Sequence, residues 1–377
     1  MPSRAIAELT AAFHAGLDGP AAAPRDRART VITSWPTVPV EVIRAAGLTP
    51  FTPRGSHAAT PLADRYLERD VFPSRVRQLA NRFLAGDYAG TTGLVIPRTS
   101  DSDYKLFLYL REFQRLGAAA RTPVYLFDLL QSRGDQSRAY GRARTAALID
   151  HLGSAGHTGQ TMDLARQIAQ TNAARDAARA LIALRQGQPR LTGTEALPLI
   201  GAFWLVGPER YVALAREAAD DIRMRQPLDL PRVLLAGAPV DDTHLHAAIE
   251  SLGAVVVAET SPWGSGAART DVRVDADPIQ AIADFYRTQI PGARVPASDQ
   301  LQWLEELLAG IDAVVVSLPP DDAVFGWEYP DIRARLDVRG VPSVCVSGDP
   351  HAPIGAAELA AIAALLASVK NAEAPRG

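Results

Sequence analysis

The chain has 377 residues, of which 47% are hydrophobic and 21% charged, with a formal net charge of −3 at pH 7. This length predicts two or three domains, and the small negative charge does not favour nucleic acid as a partner. Apolar runs such as Ala254–Ala258 and Ala313–Val316 are far shorter than the roughly 20 residues that span a membrane, so no membrane association is expected.

The first 150 residues alternate short β-rich runs with helical stretches. Met1–Thr10 begins this region without an apolar core or a cleavage motif, so secretion is not indicated and a cytoplasmic location is the default expectation. Short apolar or β-branched runs predict three buried strands: Thr30–Thr33, Gly93–Pro97 and Pro123–Phe127. Helical patterns predict three helices between and after them: Pro39–Ala46, Ser74–Ala85 and Ser102–Leu116.

The middle of the chain changes character. From about Thr161 to Arg225 the pattern is helical and no strand is predicted, with breaks at Gly187–Pro189 and Gly207–Pro208. Thr192 supplies a cap residue for a new helix after the first break. The arginines of this segment are spread around the helix faces, which usually indicates that they are solvated.

The last third returns to strand–helix alternation. The predicted strands are Arg232–Ala236, Ala254–Ala258, Ala313–Ser317 and Ser343–Ser347. The predicted helices are Asp241–Leu252, Pro278–Arg287, Gln300–Ala309, Pro330–Val338 and Gly355–Val369. Because strands that alternate with helices form parallel sheets, we expect an α/β fold of two doubly wound parallel-sheet lobes with a helical segment between them. The expected domains are 1–150, 151–228 and 229–377.

Functional side chains in such sheets lie on the loops that leave the carboxyl ends of the strands. That rule selects polar residues after six predicted strands, although an Asp or Ser in this position is more often a helix cap than a catalyst. The selected residues include Ser100, Asp101, Asp128, Asp241, Glu259, Ser265, Asp321, Asp322, Asp349 and His351. Convergence of several of these loops on one cleft would favour a functional site.

Standard catalytic motifs are mostly absent. There is no P-loop and no GxSxG nucleophile elbow. Gly264–Arg269 begins like a dinucleotide fingerprint, but arginine occupies the position of the third glycine, which disfavours that reading. Ser265 has no identifiable base. The single cysteine, Cys345, excludes an internal disulfide, and its predicted strand favours a role as a small core hydrophobe.

Four neighbouring residues suggest a metal site: Asp241, Asp242, His244 and His246. The two histidines lie two positions apart on a predicted helix and therefore point to different faces. Surface and helix-capping roles are the favoured interpretation of this group, and no protein-bound metal is expected.

Several segments match one family in order. Val38–Gly47 resembles the opening "vPeEli-AaG" of 2-hydroxyacyl-CoA dehydratase and benzoyl-CoA reductase subunits, and Pro97–Ser102 resembles their "PhTCDS" segment. Gln170–Leu184, with Asn172 and Arg175, is similar to their helical "yN--R" stretch. Arg232–Gly253 and Asp312–Pro342 resemble their strand–helix unit and their "DGvI…yP…giP" ending. The resemblance extends over about 340 residues and agrees with two α/β lobes around a helical segment.

The resemblance implies a [4Fe–4S] cluster held by three cysteines, an acyl-CoA thioester substrate and an ATP-dependent activator that delivers one electron. Cysteine thiolate suits iron because it is a soft, electron-donating ligand. In this chain the three positions are Pro73, Ser100 and Pro262, and a further cysteine often found near Asp321 is also missing. We therefore expect this chain to bind no such cluster.

Three hypotheses follow from the resemblance. The first is a subunit that supplies half of an acyl-CoA pocket, paired with a homologous cysteine-bearing subunit in a heterodimer, or with itself in a homodimer. Five residues are predicted to line the pocket: Ser34, Arg75, Ser100, Asp101 and Trp263. The second hypothesis is a non-catalytic acyl-CoA-binding or assembly protein. The third is a redox-independent enzyme on the same fold, ranked last because no activated nucleophile is evident.

Overall fold

The computed structural model describes residues 3–15, 26–155, 163–289, 294–320, 322 and 324–373. Met1, Thr161 and Asp321, which enter the sequence analysis, lie outside these residues. The described chain forms two lobes, each built around a four-stranded parallel sheet, so the predicted fold is confirmed. Within the described residues no helix has the length and apolar composition needed to cross a bilayer.

The first sheet contains the strands β1 (Thr30–Thr33), β2 (Thr49–Phe51), β3 (Gly93–Pro97) and β4 (Val124–Phe127) in the spatial order β2-β1-β3-β4. Its helices are α2 (Val40–Ala45), α3 (Ser74–Ala85) and α4 (Asp101–Arg115), and α1 (Arg4–Ala15) precedes them. Ile32 of β1 is paired with Phe51 on one side and Leu94 on the other. The central strands are fully buried because helices cover both faces of the sheet.

The second sheet repeats this topology. Its strands are β5 (Arg232–Gly237), β6 (Val255–Glu259), β7 (Ala313–Ser317) and β8 (Ser343–Val346), in the order β6-β5-β7-β8. Its helices are α9 (His244–Ser251), α10 (Pro278–Thr288), α11 (Ala297–Leu307), α12 (Phe325–Arg339) and α13 (Ala356–Glu373). Strand β7 is a run of branched apolar residues, as expected for a strand buried on both faces.

Helices α5 (Asp135–Ala155), α6 (Leu164–Ala183), α7 (Gly193–Gly201) and α8 (Pro208–Arg223) separate the two sheets in the sequence. One hydrophobic core joins these helices to the first sheet and to α10. Its members include Val31, Val95, Phe127, Leu148, Ile168, Leu181, Leu214, Trp263 and Phe285. Because this core crosses residues 150 and 228, the boundaries given for the three domains stay a prediction.

Candidate functional site

A cleft of about 780 Å³ lies between the carboxyl ends of the two sheets. In each sheet the direction of the strand order reverses at the central pair, which is β1 and β3 in the first lobe and β5 and β7 in the second. Open α/β sheets bind ligands outside the strand ends at this reversal point. The loops after all four of these strands line the cleft, including Trp35, Ser100, Asp241 and Phe325.

Arg75 is a positively charged residue in the part of the cleft wall that the first lobe forms. Its guanidinium donates to the Asp103 carboxylate at 2.9 Å and to the Ser34 carbonyl at 3.1 Å, and it lies 4.6 Å from the centre of the Trp35 ring. Asp103 also accepts hydrogen bonds from the hydroxyls of Thr99 at 2.6 Å and Ser100 at 2.9 Å. These bonds hold Arg75 in one orientation and compensate part of its charge.

The predicted pocket residues divide into two groups. Arg75, Ser100 and Asp101 line the cleft, where Ser100 caps α4 by accepting a hydrogen bond from the Asp103 amide. Ser34 and Trp263 are fully buried and are not part of its lining. The Trp263 ring packs edge-on against Trp35, with 6.4 Å between ring centres. Trp263 therefore supports a wall of the cleft from behind, and direct ligand contacts by these five residues stay a prediction.

The three positions at which the resemblance predicts cluster cysteines differ in exposure. Pro73 and Ser100 line the cleft, whereas Pro262 is buried and its carbonyl accepts a hydrogen bond from the Trp204 indole at 2.8 Å. A proline side chain offers no electron pair to iron, and the Ser100 hydroxyl is already bonded to Asp103. The side chains at these three positions do not fit a [4Fe–4S] cluster, whose ligands are thiolates.

Cys345 does not substitute for them. It lies on β8, at the edge of the second sheet, is only half-buried and is not part of the cleft lining. The prediction of a core cysteine is wrong in this respect because only β7 pairs with β8. Burial raises the pKa of the Cys345 thiol, which favours its inert protonated form.

A polar cluster connects the two lobes at the floor of the cleft. The His351 ring contacts the Asp241 carboxylate through Nε2 at 2.6 Å and the Ser74 hydroxyl through Nδ1 at 2.7 Å. Ser74 donates to the Asp349 carboxylate at 2.9 Å, and the Gly55 amide donates to Asp241 at 2.9 Å. Ser74 and Gly55 belong to the first lobe and the other three residues to the second, so these bonds cross the interface.

The carboxylates determine the charge of His351. Burial alone would lower the pKa of this imidazole, but the Asp241 and Asp349 carboxylates outweigh that effect and raise the pKa to about 10. Burial would likewise raise the pKa of Asp241, but His351 and Arg54 hold it well below its usual range. Asp349 follows the same pattern, with a pKa lowered to about 2 by hydrogen bonds from His351 and Ser74. At neutral pH His351 is therefore an imidazolium between two carboxylates.

Ser74, His351 and Asp241 have the connectivity of a nucleophile, a base and an orienting acid. The protonation state is the reverse of what such catalysis needs, because an imidazolium cannot accept the Ser74 proton. The ring instead donates to the Ser74 oxygen, whose own proton goes to Asp349. This arrangement favours a structural tie between the lobes over nucleophilic catalysis.

The loop after β6 turns away from the cleft. Arg185 binds both oxygens of the buried Glu259 carboxylate, and His246 contacts the same carboxylate at 2.9 Å. Gly264 packs so closely on Glu259 that an added Cβ would overlap it. The Gly264–Arg269 stretch therefore packs within the protein and contacts Glu259. Opposite faces for the two histidines are confirmed, since His246 is fully buried and His244 is half exposed.

The expected surface roles of Asp241 and His246 are wrong, because both side chains are buried beside charged partners, His351 for Asp241 and Glu259 for His246. Solvation is also wrong for two arginines of the helical segment. Arg185 binds Glu259, and Arg175 donates to the Glu41 carboxylate at 2.7 Å, all with fully buried side chains. A buried arginine requires such a partner, and no helical periodicity reveals one that lies more than 70 positions away.

Asn172 of the same motif also has a structural role, as does Tyr286, which was not singled out from the sequence. Asn172 donates to the Val272 carbonyl at 2.7 Å and accepts from the Val272 amide at 3.0 Å, which fixes the loop before α10. Tyr286 of α10 donates to Glu41 at 2.7 Å, and burial followed by the Glu41 charge holds the pKa of Tyr286 well above its usual range. The "yN--R" stretch thus joins α2, α6 and α10 in the core.

Sequence reasoning missed several residues of the cleft, among them Trp35, Ser74 and Arg294. Ser74 begins α3 and lies 23 positions beyond the end of β2, a strand of three residues that contains Pro50 and was not predicted. The rule that selects residues directly after a strand therefore gave no signal for Ser74. Trp35 follows a predicted strand by two residues and was available to the same rule. Arg294 follows no strand directly, so the rule gave no signal for it.

Comparison with models of protein families gives a match over most of the chain. The family model described as 2-hydroxyglutaryl-CoA dehydratase, D-component, matches residues 37–359. That range includes every strand of the two sheets except β1. It also includes the residues that line the cleft, except Trp35. No curated protein matches the chain.

Proposed function

Because the chain belongs to the 2-hydroxyglutaryl-CoA dehydratase D-component family, we propose that it is a clusterless subunit that supplies half of an acyl-CoA pocket. A homologous partner with the cluster cysteines would complete the pocket and hold the [4Fe–4S] cluster. The observation that carries this proposal is that Pro73 and Ser100, which stand where the resemblance predicts cysteines, line the cleft.

The dimensions of the cleft support a ligand of this class. A volume of about 780 Å³ is within the range of roughly 300–1,000 Å³ that is typical of small-molecule sites. Trp35, Pro239 and Phe325 supply apolar wall for an acyl chain. Arg294 supplies a cation whose Nη1 has no hydrogen-bond partner among the described residues, which favours an anionic ligand group such as a phosphate of coenzyme A.

The residues of this chain would bind and orient rather than transfer electrons. Arg75, held by Asp103 and stacked on Trp35, would present its edge to a polar group of the ligand with little loss of side-chain entropy. The Ser74–His351 cluster would keep the second lobe at a fixed distance from the first. The partner would accept the electron from an ATP-dependent activator, and no cofactor is assigned to this chain itself.

Co-purification with a cysteine-bearing homologue tests the proposal. We expect the chain expressed alone to be colourless and to contain less than about one tenth of an iron atom per chain, as expected for a protein without thiolate ligands. We expect the co-expressed pair to elute together with its iron in the partner. A brown, iron-containing protein from the chain alone, or failure of the two to associate, would contradict the proposal.

A matched pair of arginine variants tests the pocket. Arg75→Met removes a cation from the cleft wall, whereas Arg111→Met removes an exposed cation on α4 that stacks over Phe107. We expect Arg75→Met to weaken binding of an acyl-CoA to the complex by at least about tenfold, the usual effect of losing a charged hydrogen bond. Equal affinities for the two variants would show that the cleft is not the acyl-CoA site.

The alternatives predict different results. A non-catalytic acyl-CoA-binding protein would bind the thioester without any partner and leave it intact. A redox-independent enzyme would convert it without a partner and without iron. The protonated state of His351 disfavours the second alternative, because Ser74 then lacks a base.

A further inference from the structure

A second groove, of about 490 Å³, lies at the opposite end of the first sheet. It is lined by the segment from Gly47 to Pro50, which leads into β2, and by the start of α8. Gly47 and Leu48 precede β2, so the groove is at the amino ends of the strands, whereas the cleft is at their carboxyl ends. The two sites have no lining residue in common.

Two polar side chains of this groove lack the partners that buried groups normally have. Arg44 makes one long hydrogen bond, 3.4 Å to the Thr171 hydroxyl, and has no carboxylate within 4 Å among the described residues. Gln167 is 7% exposed, and its amide has no hydrogen-bond partner in the part of the chain that the structure describes. Thr171 and Gln167 are four residues apart on α6 and so face the same way.

Both groups keep some contact with water, because Arg44 is partly exposed and Gln167 lines the open groove. Partial burial of a guanidinium or an amide without a partner still costs stability. The cost is visible at Arg44, where burial lowers the pKa of the guanidinium despite the nearby Glu41. Glu41 cannot neutralise Arg44 directly because its two oxygens are bonded to Arg175 and Tyr286. An anion in the groove would satisfy both Arg44 and Gln167.

The start of α8 adds donors to the same groove. This helix has 16 residues and begins at Pro208, so the amide groups of Glu209 and Arg210 have no acceptor within the helix. The positive end of the helix dipole also favours an anion here. The lining contains three arginines (Arg44, Arg166 and Arg210) and one glutamate, Glu209, whose carboxylate is held by Gln170 at 2.7 Å. Arg210 is paired with Glu8 and Arg166 with Asp163, so Arg44 is the arginine of this lining that has no carboxylate partner among the described residues.

We propose that this groove binds a phosphate group, either as inorganic phosphate or as part of a small phosphorylated molecule. Arg44 and the Gln167 amide contact the phosphate oxygens from α2 and α6, and the first turn of α8 contacts them from the other side. Leu48 and Val206 supply apolar wall beside this position. The volume of about 490 Å³ is larger than a phosphate ion. The groove can therefore hold either inorganic phosphate or a nucleotide that ends in the bound phosphate group.

The test is isothermal titration calorimetry of the chain with inorganic phosphate and, separately, with ADP, both at constant ionic strength. We expect saturable binding that weakens at least tenfold in both Arg44→Met and Gln167→Leu and is unchanged in Arg111→Met, which removes an exposed arginine on α4. ADP that binds at least tenfold more tightly than phosphate would identify a nucleotide, and equal affinities would identify free phosphate.

No saturable binding of either ligand to the wild-type chain would overturn the proposal. Equal affinities in the wild-type chain, Arg44→Met and Gln167→Leu would overturn it too, since the anion would then be elsewhere. If Arg44→Met does not fold, Gln167→Leu decides, because it removes an uncharged amide and retains the arginine.

Discussion

The contact between His351 and Asp241 gives a stability prediction with a defined pH dependence. His351→Gln removes the positive charge between two carboxylates and leaves Asp241, which is 2% exposed, without its principal counter-charge. Removal of one member of a buried ion pair costs about 3–5 kcal/mol. We expect about 3 kcal/mol at pH 7, the lower end, because the Gly55 amide still donates to Asp241 at 2.9 Å.

The pKa of His351 determines the pH range of the effect. This pKa is about 10 in the folded chain and 6.5 in the unfolded reference, so the folded state binds the proton more tightly. The stabilisation is fully present below pH 6.5 and is lost as the pH rises towards 10. At about 1.4 kcal/mol for each pH unit, the upper limit of the loss is about 5 kcal/mol.

Urea unfolding, followed by tryptophan fluorescence at several pH values from 6 to 10, measures this loss. The free-energy difference between the wild-type chain and His351→Gln should be largest near pH 6 and should shrink as the pH rises. His244→Gln is the matched control, because that half-exposed histidine lies on the same lobe and its loss should change stability by less than about 0.5 kcal/mol. Parallel pH curves for the wild-type chain and His351→Gln would refute the reasoning.

Three other outcomes follow from the structure. Arg185→Met leaves the Glu259 carboxylate buried without its guanidinium, so the free energy of unfolding in urea should fall by about 3–5 kcal/mol, and a loss below 1 kcal/mol would contradict the buried pair. Gly237→Ala places a Cβ against the Ser317 carbonyl at a φ of 97°, so calorimetry should show a destabilisation of about 1–3 kcal/mol, whereas Gly348→Ala, which has open space around it, should be neutral. Ser74 should resist a fluorophosphonate at pH 7 because His351 is protonated, and mass-spectrometric labelling of Ser74 would show an activated nucleophile instead.

The sequence by itself determined the elements with continuous apolar character. The predicted strands Thr30–Thr33, Gly93–Pro97 and Ala313–Ser317 have the observed bounds, as does the helix Ser74–Ala85. Local pattern suffices there because strands buried on both faces must be apolar throughout. The parallel pairing also followed, since each crossover between neighbouring strands needs a helix.

The elements that were not predicted include two that lack an apolar pattern. Helix α5 turns Ser137, Gly141 and Thr145 towards the core at helical spacing, and small polar residues at these positions hide the period from a search for apolar faces. Strand β2 has three residues, one of them a proline. Helix α1 was not predicted either, although it buries Ile6, Leu9 and Phe13 against the rest of the core.

The candidate site shows what only the tertiary structure decided. Strand ends selected Asp101, Asp241, Asp349 and His351 from the sequence, because loops at the carboxyl edge converge whatever their composition. The pairing of His351 with Asp241, 110 positions away, was not accessible from the sequence. The same is true of the charge on His351 and of the burial of Trp263, because burial and electrostatic environment depend on which distant segments meet.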